Sequence, residues 1–435
     1  MEIEIRIVRV SDNRIQFKLG LSKPLRKYFL KDTSYVKYDD RIDVTNVDSS
    51  ILVIPMVSAI APIAWAVGAN VNVPRLDASY FDSLHRVKDV YRSFHSNFSF
   101  SGDIIAATTA ANVFGRKKTG MLFSGGVDSL TSYLRYKHEK LDLFSIWGVP
   151  DIPPSEDKFW NTMWSEISHM ANQDGVEAFR IKTDVYRTIN HELLGLEFRT
   201  SWWGNVAGSL FLLGMCAPVT AIRETGTLII ASSYTEDFRG TSAFHPSIDH
   251  NISWADVTVV HDGYELSRQQ KLKYLCQRES SHYLSYLRVC WDSAVKTNCG
   301  NCEKCLRTIS GLVVEGVDPN NCNFNIDKKT FPRLKDCFIK GKMNLGAGQL
   351  FMWTDIQKQI PERIDTDISG SRGFLTWMKG FDLSKYRTNW VGHFFWNARL
   401  LFRNRRIKSG AIHRKIRCYY SIALAKLGFL RNKAI

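Results

Sequence analysis

The chain has 435 residues, which is too long for a single compact core, so we expect two or three domains. Its apolar, charged and aromatic fractions, 44%, 23% and 12%, are ordinary for a globular protein and exclude a chain of biased composition. The formal net charge is +15, yet residues 385–435 contain 13 Lys or Arg and no Asp or Glu, so the first 384 residues carry only +2. An acidic partner is therefore expected to meet the C-terminal tail rather than the body of the protein.

The N-terminal residues favour a cytoplasmic protein. Residues 1–6 alternate between apolar and polar side chains and lack the apolar run of a signal peptide. The uncharged stretch 51–74 is long enough to cross a bilayer, but Pro55, Pro62 and Gly68 interrupt it. We predict a buried strand, a short apolar helix and a second strand there, with a transmembrane helix as the less favoured alternative.

Residues 1–115 are predicted to form an accessory α+β domain. Ile3, Ile5 and Ile7 alternate with polar residues as in a half-buried strand, and apolar residues at helical spacing predict a helix over 80–94. No residues in this region have the spacing of a catalytic group. We expect a structural or partner-docking role.

The next stretch has the pattern strand, glycine turn, helix. An apolar run at 120–123 precedes the hexapeptide Ser124-Gly125-Gly126-Val127-Asp128-Ser129, and an apolar helix pattern follows. Turn amides and the unpaired N–H groups of a helix start form a concave positive site suited to phosphate. Ser124 and Ser129 add hydroxyl donors, and Asp128 is suited to hold Mg²⁺ or to cap the helix. The alternative is an ordinary hairpin or helix cap.

Alternating strands and helices follow this turn. Strands are predicted at 141–147, 178–181 and 228–231, and helices at 157–172 and 204–216. Such alternation predicts a parallel sheet with helices on both faces, which binds ligands beyond the carboxyl ends of its strands. Three loops follow strands there and are expected to converge on one pocket: the glycine turn, residues 148–151, and residues 232–237 with Asp237.

Four of the nine cysteines are clustered. Cys290, Cys299, Cys302 and Cys305 have the pattern C-x8-C-x2-C-x2-C, in which two-residue gaps turn successive thiolates towards one ion. Structural zinc is the favoured interpretation, and an iron–sulfur cluster is the alternative. Three histidines near the predicted pocket are interpreted as hydrogen-bonded surface groups more readily than as substrate contacts: His245, His250 and His261.

The C-terminal region, 316–435, is predicted to be a basic, mostly helical extension. Aromatic residues at 394–396 are followed by Arg399, Arg403, Arg405 and Arg406 at helical spacing. Such a segment suits nucleic acid, an anionic membrane surface or an acidic protein. The alternative is a solvated helix docked on the body through its aromatic residues.

These motifs together support a family resemblance. The hexapeptide resembles the PP-loop of the ATP pyrophosphatase superfamily, whose members cleave ATP between the α and β phosphates and adenylate a substrate oxygen. The cysteine cluster is similar to that of 7-cyano-7-deazaguanine synthase (QueC). Residues 237–240 resemble the D-F-x-G stretch of that family, and residues 299–307 resemble its C-G-x-C-x-x-C-x-x-R. The similarity covers about 118–311.

The resemblance implies a fold and a chemistry. Residues 116–315 would form a doubly wound, mostly parallel, adenine nucleotide alpha-hydrolase-like domain. QueC activates 7-carboxy-7-deazaguanine with ATP, lets ammonia displace AMP to give an amide, and activates the amide again to give a nitrile. By carry-over, Ser124, Asp128, Ser129 and Asp237 would be catalytic, and residues 124–129 would bind ATP with Mg²⁺. The zinc would be structural.

Departures from the family point to a different amine acceptor. Residues 147–153 replace the tyrosine-glycine-glutamine turn of QueC, and Trp203-Gly204-Asn205 lacks its arginine. Longer QueC-like chains resemble the QatC-type and CBASS-associated members of bacterial antiviral defence operons. We predict transfer of a deazaguanine carboxylate to ammonia or to a macromolecular amine, such as that of an operon-encoded partner protein. The alternatives are a PP-loop enzyme that modifies tRNA and a non-catalytic nucleotide-binding module.

Overall fold

A computed structural model describes residues 1–139, 141–277, 279–290, 298–365 and 367–389. The chain divides into two units, Met1–Val289 and a second that begins at Cys290. The basic segment with Arg399, Arg403, Arg405 and Arg406, predicted as an amphipathic helix, lies outside the described residues.

The first unit is built on an eleven-stranded, mostly parallel sheet, and the protein therefore has an α/β fold. The strands in chain order are β1 Glu2–Ser11, β2 Arg14–Leu21, β3 Thr33–Tyr38, β4 Asn70–Asp77, β5 Ile104–Ala110, β6 Lys118–Leu122, β7 Leu141–Trp147, β8 Glu177–Thr183, β9 Thr225–Ala231, β10 Ser253–Trp254 and β11 Val257–Asp262. Their spatial order is β10-β11-β9-β6-β7-β8-β3-β2-β1-β4-β5.

The helices of the first unit pack on this sheet or on one another. They are α1 Ser49–Leu52, α2 Ile54–Val67, α3 Ala78–Phe94, α4 Val127–Tyr136, α5 Asp157–Gln173, α6 His191–Glu197, α7 Gly208–Ile222, α8 Pro246–Asp249 and α9 Arg268–Leu275. A π-helical segment, Trp202–Ala207, leads directly into α7. The predicted strands at 141–147, 178–181 and 228–231 correspond to β7, β8 and β9.

The parallel part of the sheet follows from its sequence. β7 is buried along almost its whole length, as expected for a central parallel strand covered on both faces. β2 alternates buried and less buried residues, as expected where one face is solvated. The antiparallel pairing of β3 with β8, with Val36 opposite Thr183, joins the two parts. Residues 1–115 therefore share one sheet with the region that follows them.

The prediction for the apolar stretch 51–74 is partly wrong. Its first piece is helical rather than a strand, since Asp48 caps α1 by accepting a hydrogen bond from the amide of Ser50, and α2 follows at once. Pro55 sits in the first turn of α2, where no intrahelical N–H is needed. The second predicted strand is present as the start of β4.

The apolar helices α2 and α7 pack against each other and against the sheet. At their contact, a Cβ built on Gly214 of α7 would lie 1.9 Å from the hydroxyl of Ser58 in α2, so glycine is what lets the helices approach. Within the described residues, one helix, Trp202–Ile222, is long and apolar enough to cross a membrane, with a mean hydropathy of 1.6. Because 78% of that apolar window is buried inside the protein, core packing accounts for its composition.

The second unit is helical where it is described. Its helices are α10 Glu303–Val314, α11 Thr330–Ile339, α12 Ala347–Gln359 and α13 Arg372–Lys379. The buried carboxylate of Glu303 pairs with Arg307 at 2.9 Å and accepts a hydrogen bond from the indole N–H of Trp353 at 3.0 Å. These bonds satisfy a charge pair inside the helical core.

Candidate functional site

The hexapeptide 124–129 joins β6 to α4 at the carboxyl edge of the parallel strands. Gly125 has φ of 71°, which favours glycine, and Gly126 is the N-cap residue of α4. The hydroxyls of Ser124 and Ser129 lie 3.2 Å apart, and the amide of Ser124 donates to the Ser129 hydroxyl at 3.3 Å. Val127 is buried as the first residue of α4. The turn therefore presents a glycine backbone and two hydroxyls at a helix N-terminus, which is a suitable arrangement for an anion.

Asp128 forms an ion pair with Arg268 rather than capping the helix. The N-cap residue of α4 is Gly126, which has no side chain to cap the helix. Asp128 lies two positions further on, so the prediction that it caps the helix is wrong. The Asp128 carboxylate pairs with the Arg268 guanidinium, and its second oxygen lies 3.6 Å from the Lys271 ammonium. Arg268 and Lys271 are only 7% and 2% exposed. Burial lowers the pKa of Lys271, and the neighbouring Asp128 carboxylate opposes that shift.

Arg268 and Lys271 belong to no motif that predicts a site from the sequence. They lie three residues apart at the start of α9 and so share one helix face. Ser267 begins that helix with a capping box, which fixes the position of its first turn. Two cations therefore face the Asp128 carboxylate beside the glycine turn, and the Asp262 carboxylate also acts on Lys271.

Lys271 also connects two of the three loops that were expected to converge. Its ammonium donates to the carbonyl of Ser232, the first residue after β9, in addition to its contact with Asp128. The amide of Ser232 donates to the carbonyl of Asp262 at 2.8 Å. At the start of the third loop, Gly148 packs closely on the backbone of Thr183.

Asp237 is exposed in the loop that follows β9. Tyr234 precedes Asp237 in the sequence and Phe238 follows it. Their two rings stack on each other, with centroids 4.1 Å apart and planes 13° from parallel.

A small cavity of about 10 Å³ adjoins the glycine turn. It is lined by Phe123, Ser124, Gly125, Met163, Glu166, Ile167, Met170, Tyr286 and Arg288. The amide of Arg288 donates to the carbonyl of Gly125 at 2.8 Å, so this segment lies directly on the turn. Burial raises the pKa of Glu166, and Arg288 opposes the shift. The cavity holds at most about one water molecule.

The structure brings the four clustered cysteines together. All four sulfurs lie within 4.8 Å of one another, with Cys290 to Cys302 at 4.0 Å and Cys299 to Cys305 at 3.8 Å. Four thiolates at Zn–S bonds of about 2.3 Å are about 3.8 Å apart in a tetrahedron, so the cluster fits a metal such as zinc. The amide of Cys302 donates to the Cys299 sulfur at 3.2 Å.

The surface interpretation of the three histidines is wrong for His261. Its Nδ1 lies 2.6 Å from the Asp249 carboxylate, and neither side chain is exposed. His250 is exposed, and its Nε2 accepts a hydrogen bond from the His261 amide at 3.1 Å. His245 is half-buried, and burial together with the neighbouring His261 lowers its pKa.

Comparisons of the chain with protein-family models, curated proteins and solved structures returned no match. The resemblance to QueC therefore stays a prediction from the hexapeptide, residues 237–240 and the cysteine motif. The hexapeptide and the cysteine motif lie in separate units of the protein.

Proposed function

We propose that the protein is an ATP-dependent carbon–nitrogen ligase that adenylates 7-carboxy-7-deazaguanine and transfers the acyl group to an amine. The observation that carries this proposal is the glycine turn at the start of α4, with buried Arg268 and Lys271 beside Asp128. The PP-loop resemblance supplies the reaction class. In this proposal the parallel sheet is the doubly wound sheet of that superfamily.

Adenylation places negative charge on the leaving pyrophosphate. A carboxylate oxygen attacks the α-phosphorus, the bond to the bridging oxygen breaks, and the electron pair leaves with pyrophosphate. The amides of Gly125 and Gly126 and the hydroxyls of Ser124 and Ser129 hold the phosphate oxygens, while Arg268 and Lys271 supply positive charge. Mg²⁺, when bound, neutralises further charge on the phosphates.

Asp128 has a different role in this proposal from the one first expected. Because its carboxylate already faces Arg268 and Lys271, it orients both cations towards the turn. In this proposal the loop of Asp237, which carries the stacked Tyr234 and Phe238, receives the deazaguanine ring. The cysteine cluster holds structural zinc in the second unit.

The acceptor follows from the departures from QueC. The altered turn at 147–153 and the N-terminal and C-terminal additions favour a macromolecular amine over ammonia. We propose a protein acceptor in a cytoplasmic antiviral defence system. Incubation with ATP, 7-carboxy-7-deazaguanine and operon partners, followed by intact mass spectrometry, should show a mass shift on one protein. Free nitrile without any protein mass shift would contradict this acceptor.

Adenylation itself is tested by ATP–pyrophosphate exchange. The wild-type protein should exchange labelled pyrophosphate into ATP only when 7-carboxy-7-deazaguanine is present. Ser124→Ala and Arg268→Gln should each slow exchange by about 10²-fold, the scale of removing one donor to a developing charge. Ser99→Ala, an exposed serine remote in sequence, is the matched control and should leave exchange unchanged. Exchange that is insensitive to Arg268→Gln would remove that residue from the site.

One observation favours a second candidate, a PP-loop enzyme that modifies tRNA. Residues 385–435 carry 13 basic and no acidic side chains, a pattern typical of nucleic-acid contacts. An enzyme of this kind should lose tRNA affinity steeply between 50 and about 200 mM salt. A salt-independent affinity would exclude it.

A further inference from the structure

The second unit contains a surface groove of about 690 Å³ that no step of the proposed ligase reaction uses. The end of α11, the turn that follows it and residues 381–389 form its walls. Its volume lies in the range of about 300–1,000 Å³ that is typical of ligand sites. The groove is therefore large enough for a small molecule or for a short segment of a polymer.

Basic side chains dominate the walls of this groove. Four cations and one carboxylate line it: Lys340, Lys342, Lys385, Arg387 and Asp382. A second carboxylate, that of Asp336, pairs with both Lys340 and Lys342. Asp382 pairs with Lys385 at 3.0 Å. Four positive charges thus face two negative charges, and the excess positive charge suits an anionic ligand.

Arg387 carries a charge that no carboxylate neutralises within the described part of the chain. Its Nη1 donates to the carbonyl of Ser384 at 3.0 Å and to the carbonyl of Tyr386 at 2.8 Å. These two bonds fix the position of the guanidinium and leave its Nε and Nη2 donors for a ligand. Because those donors form a planar fork, they match two oxygens of one phosphate.

Aromatic rings form the floor of the groove. Phe381 is half-buried and lines the groove together with Phe338, with ring centroids 5.7 Å apart. Phe381 also packs against Trp377 at 4.6 Å. The hydroxyl of Tyr386 donates to the carbonyl of Met343 at 2.6 Å, which fixes a further ring of the floor. The floor therefore offers an apolar ring in a fixed position, on which a planar base can stack.

The basic C-terminal segment begins where the groove ends. Asn389 lines the groove and is the last described residue before that segment. Of the 13 Lys or Arg in residues 385–435, Lys385 and Arg387 line the groove, and the other 11 follow Asn389 with no Asp or Glu among them. A ligand with many phosphates gains more from this run of cations than a single small anion does.

We propose that this groove binds single-stranded nucleic acid, with phosphates held by its basic side chains and a base stacked on Phe381. A positively charged groove with an aromatic ring is how proteins hold unpaired strands without reading their sequence. The bases of a duplex stay stacked on one another, so a ring in the groove favours a single strand. A membrane surface suits a protruding apolar face rather than a ring inside a groove. The inference does not depend on the proposed ligase function.

Fluorescence anisotropy of labelled oligo(rU) and oligo(dT) of about 12 nucleotides tests the proposal with the full-length protein. Affinities are measured between about 50 and 200 mM salt. The variants are Arg387→Gln and Phe381→Leu. The matched control is Arg363→Gln, because Arg363 lies outside the groove lining and its side chain is 90% exposed beside Asp365. Melting temperatures establish that each variant is folded.

Arg387→Gln should weaken binding about tenfold at the lowest salt. It should also reduce the slope of log affinity against log salt by about 0.7, the value for one phosphate contact on a single strand. Phe381→Leu should weaken binding about fivefold with an unchanged slope, since stacking releases no counterions. Arg363→Gln should bind as the wild-type protein does.

Equal affinities of the wild-type protein and Arg387→Gln would assign binding to the C-terminal segment alone and would overturn the inference. Absence of wild-type binding at about 50 mM salt would overturn it as well. So would equal competition, at the same charge concentration, by duplex DNA, phosphatidylserine vesicles or polyglutamate. If Phe381→Leu does not fold, the exposed Arg387 still decides the outcome.

Discussion

Replacing Asp128 with asparagine is predicted to destabilise the first unit. The substitution keeps the size of the side chain but removes the negative charge between Arg268 and Lys271, which are 7% and 2% exposed. Removing one partner of a buried charge pair costs about 3–5 kcal/mol. Because the Asp128 side chain is 18% exposed, we expect the lower end, about 3 kcal/mol, or about 6 °C in the melting temperature of a unit of this size.

The assay is thermal unfolding at neutral pH, with Asp89→Asn as the matched control. Asp89 pairs with Arg92 on the surface, and its side chain is 70% exposed, so its removal should change the melting temperature little. Pyrophosphate should raise the melting temperature of Asp128→Asn more than that of the wild-type protein, because it replaces the lost anion. A shift below about 1 °C for Asp128→Asn, equal to that of the control, would refute the reasoning.

The pH dependence of the same variant has a defined sign. Burial lowers the folded pKa of Lys271 below its ordinary value of 10.5. Between the lowered folded pKa and 10.5 the unfolded chain binds more protons, so stability rises with pH in that window. The loss caused by Asp128→Asn should therefore shrink as the pH is raised towards 10.5.

Three further predictions concern the rest of the protein. Metal analysis should find one bound metal per chain. Cys302→Ser should lower the melting temperature of the second unit, whereas Cys276→Ser, outside the cluster, should not. A Cys302→Ser variant that keeps its full metal content would contradict the site. Gly214→Ala should cost about 1–3 kcal/mol because its Cβ would clash with Ser58, whereas Gly373→Ala, with no atom within 4 Å of its Cβ, should be neutral or stabilising; equal melting temperatures would contradict the packing. Burial lowers the pKa of His95 to about 4, so stability should fall as the pH drops from 6.5 towards 4, and His95→Gln should reduce that slope in acid-unfolding curves.

Much of the parallel sheet was predictable from local pattern. The apolar run of β7 and the strand-turn-helix at Ser124 have signals that lie within a few consecutive residues. The cysteine spacing likewise restricts four sulfurs to one small volume, and the structure brings them within 4.8 Å. Such features depend on residues close together in the chain, so the local sequence pattern is enough to predict them.

Other features depended on contacts between distant segments. The pairing of β3 with β8 joins residues more than a hundred positions apart, so no local signal predicts that residues 1–115 share the sheet. Arg268 and Lys271 resemble ordinary surface cations in sequence, and only the position of α9 brings them to Asp128. The first piece of 51–74 was predicted as a strand because an apolar run of that length suits either structure.

The most direct test of the account is the fate of a labelled carboxylate oxygen. The protein is incubated with ATP, an amine and 7-carboxy-7-deazaguanine that carries ¹⁸O in its carboxylate, and the nucleotide product is analysed by mass spectrometry. If a carboxylate oxygen attacks the α-phosphorus at the glycine turn, the AMP released by the amine carries one ¹⁸O atom. Unlabelled AMP, or ADP with phosphate in its place, would contradict adenylation of the carboxylate.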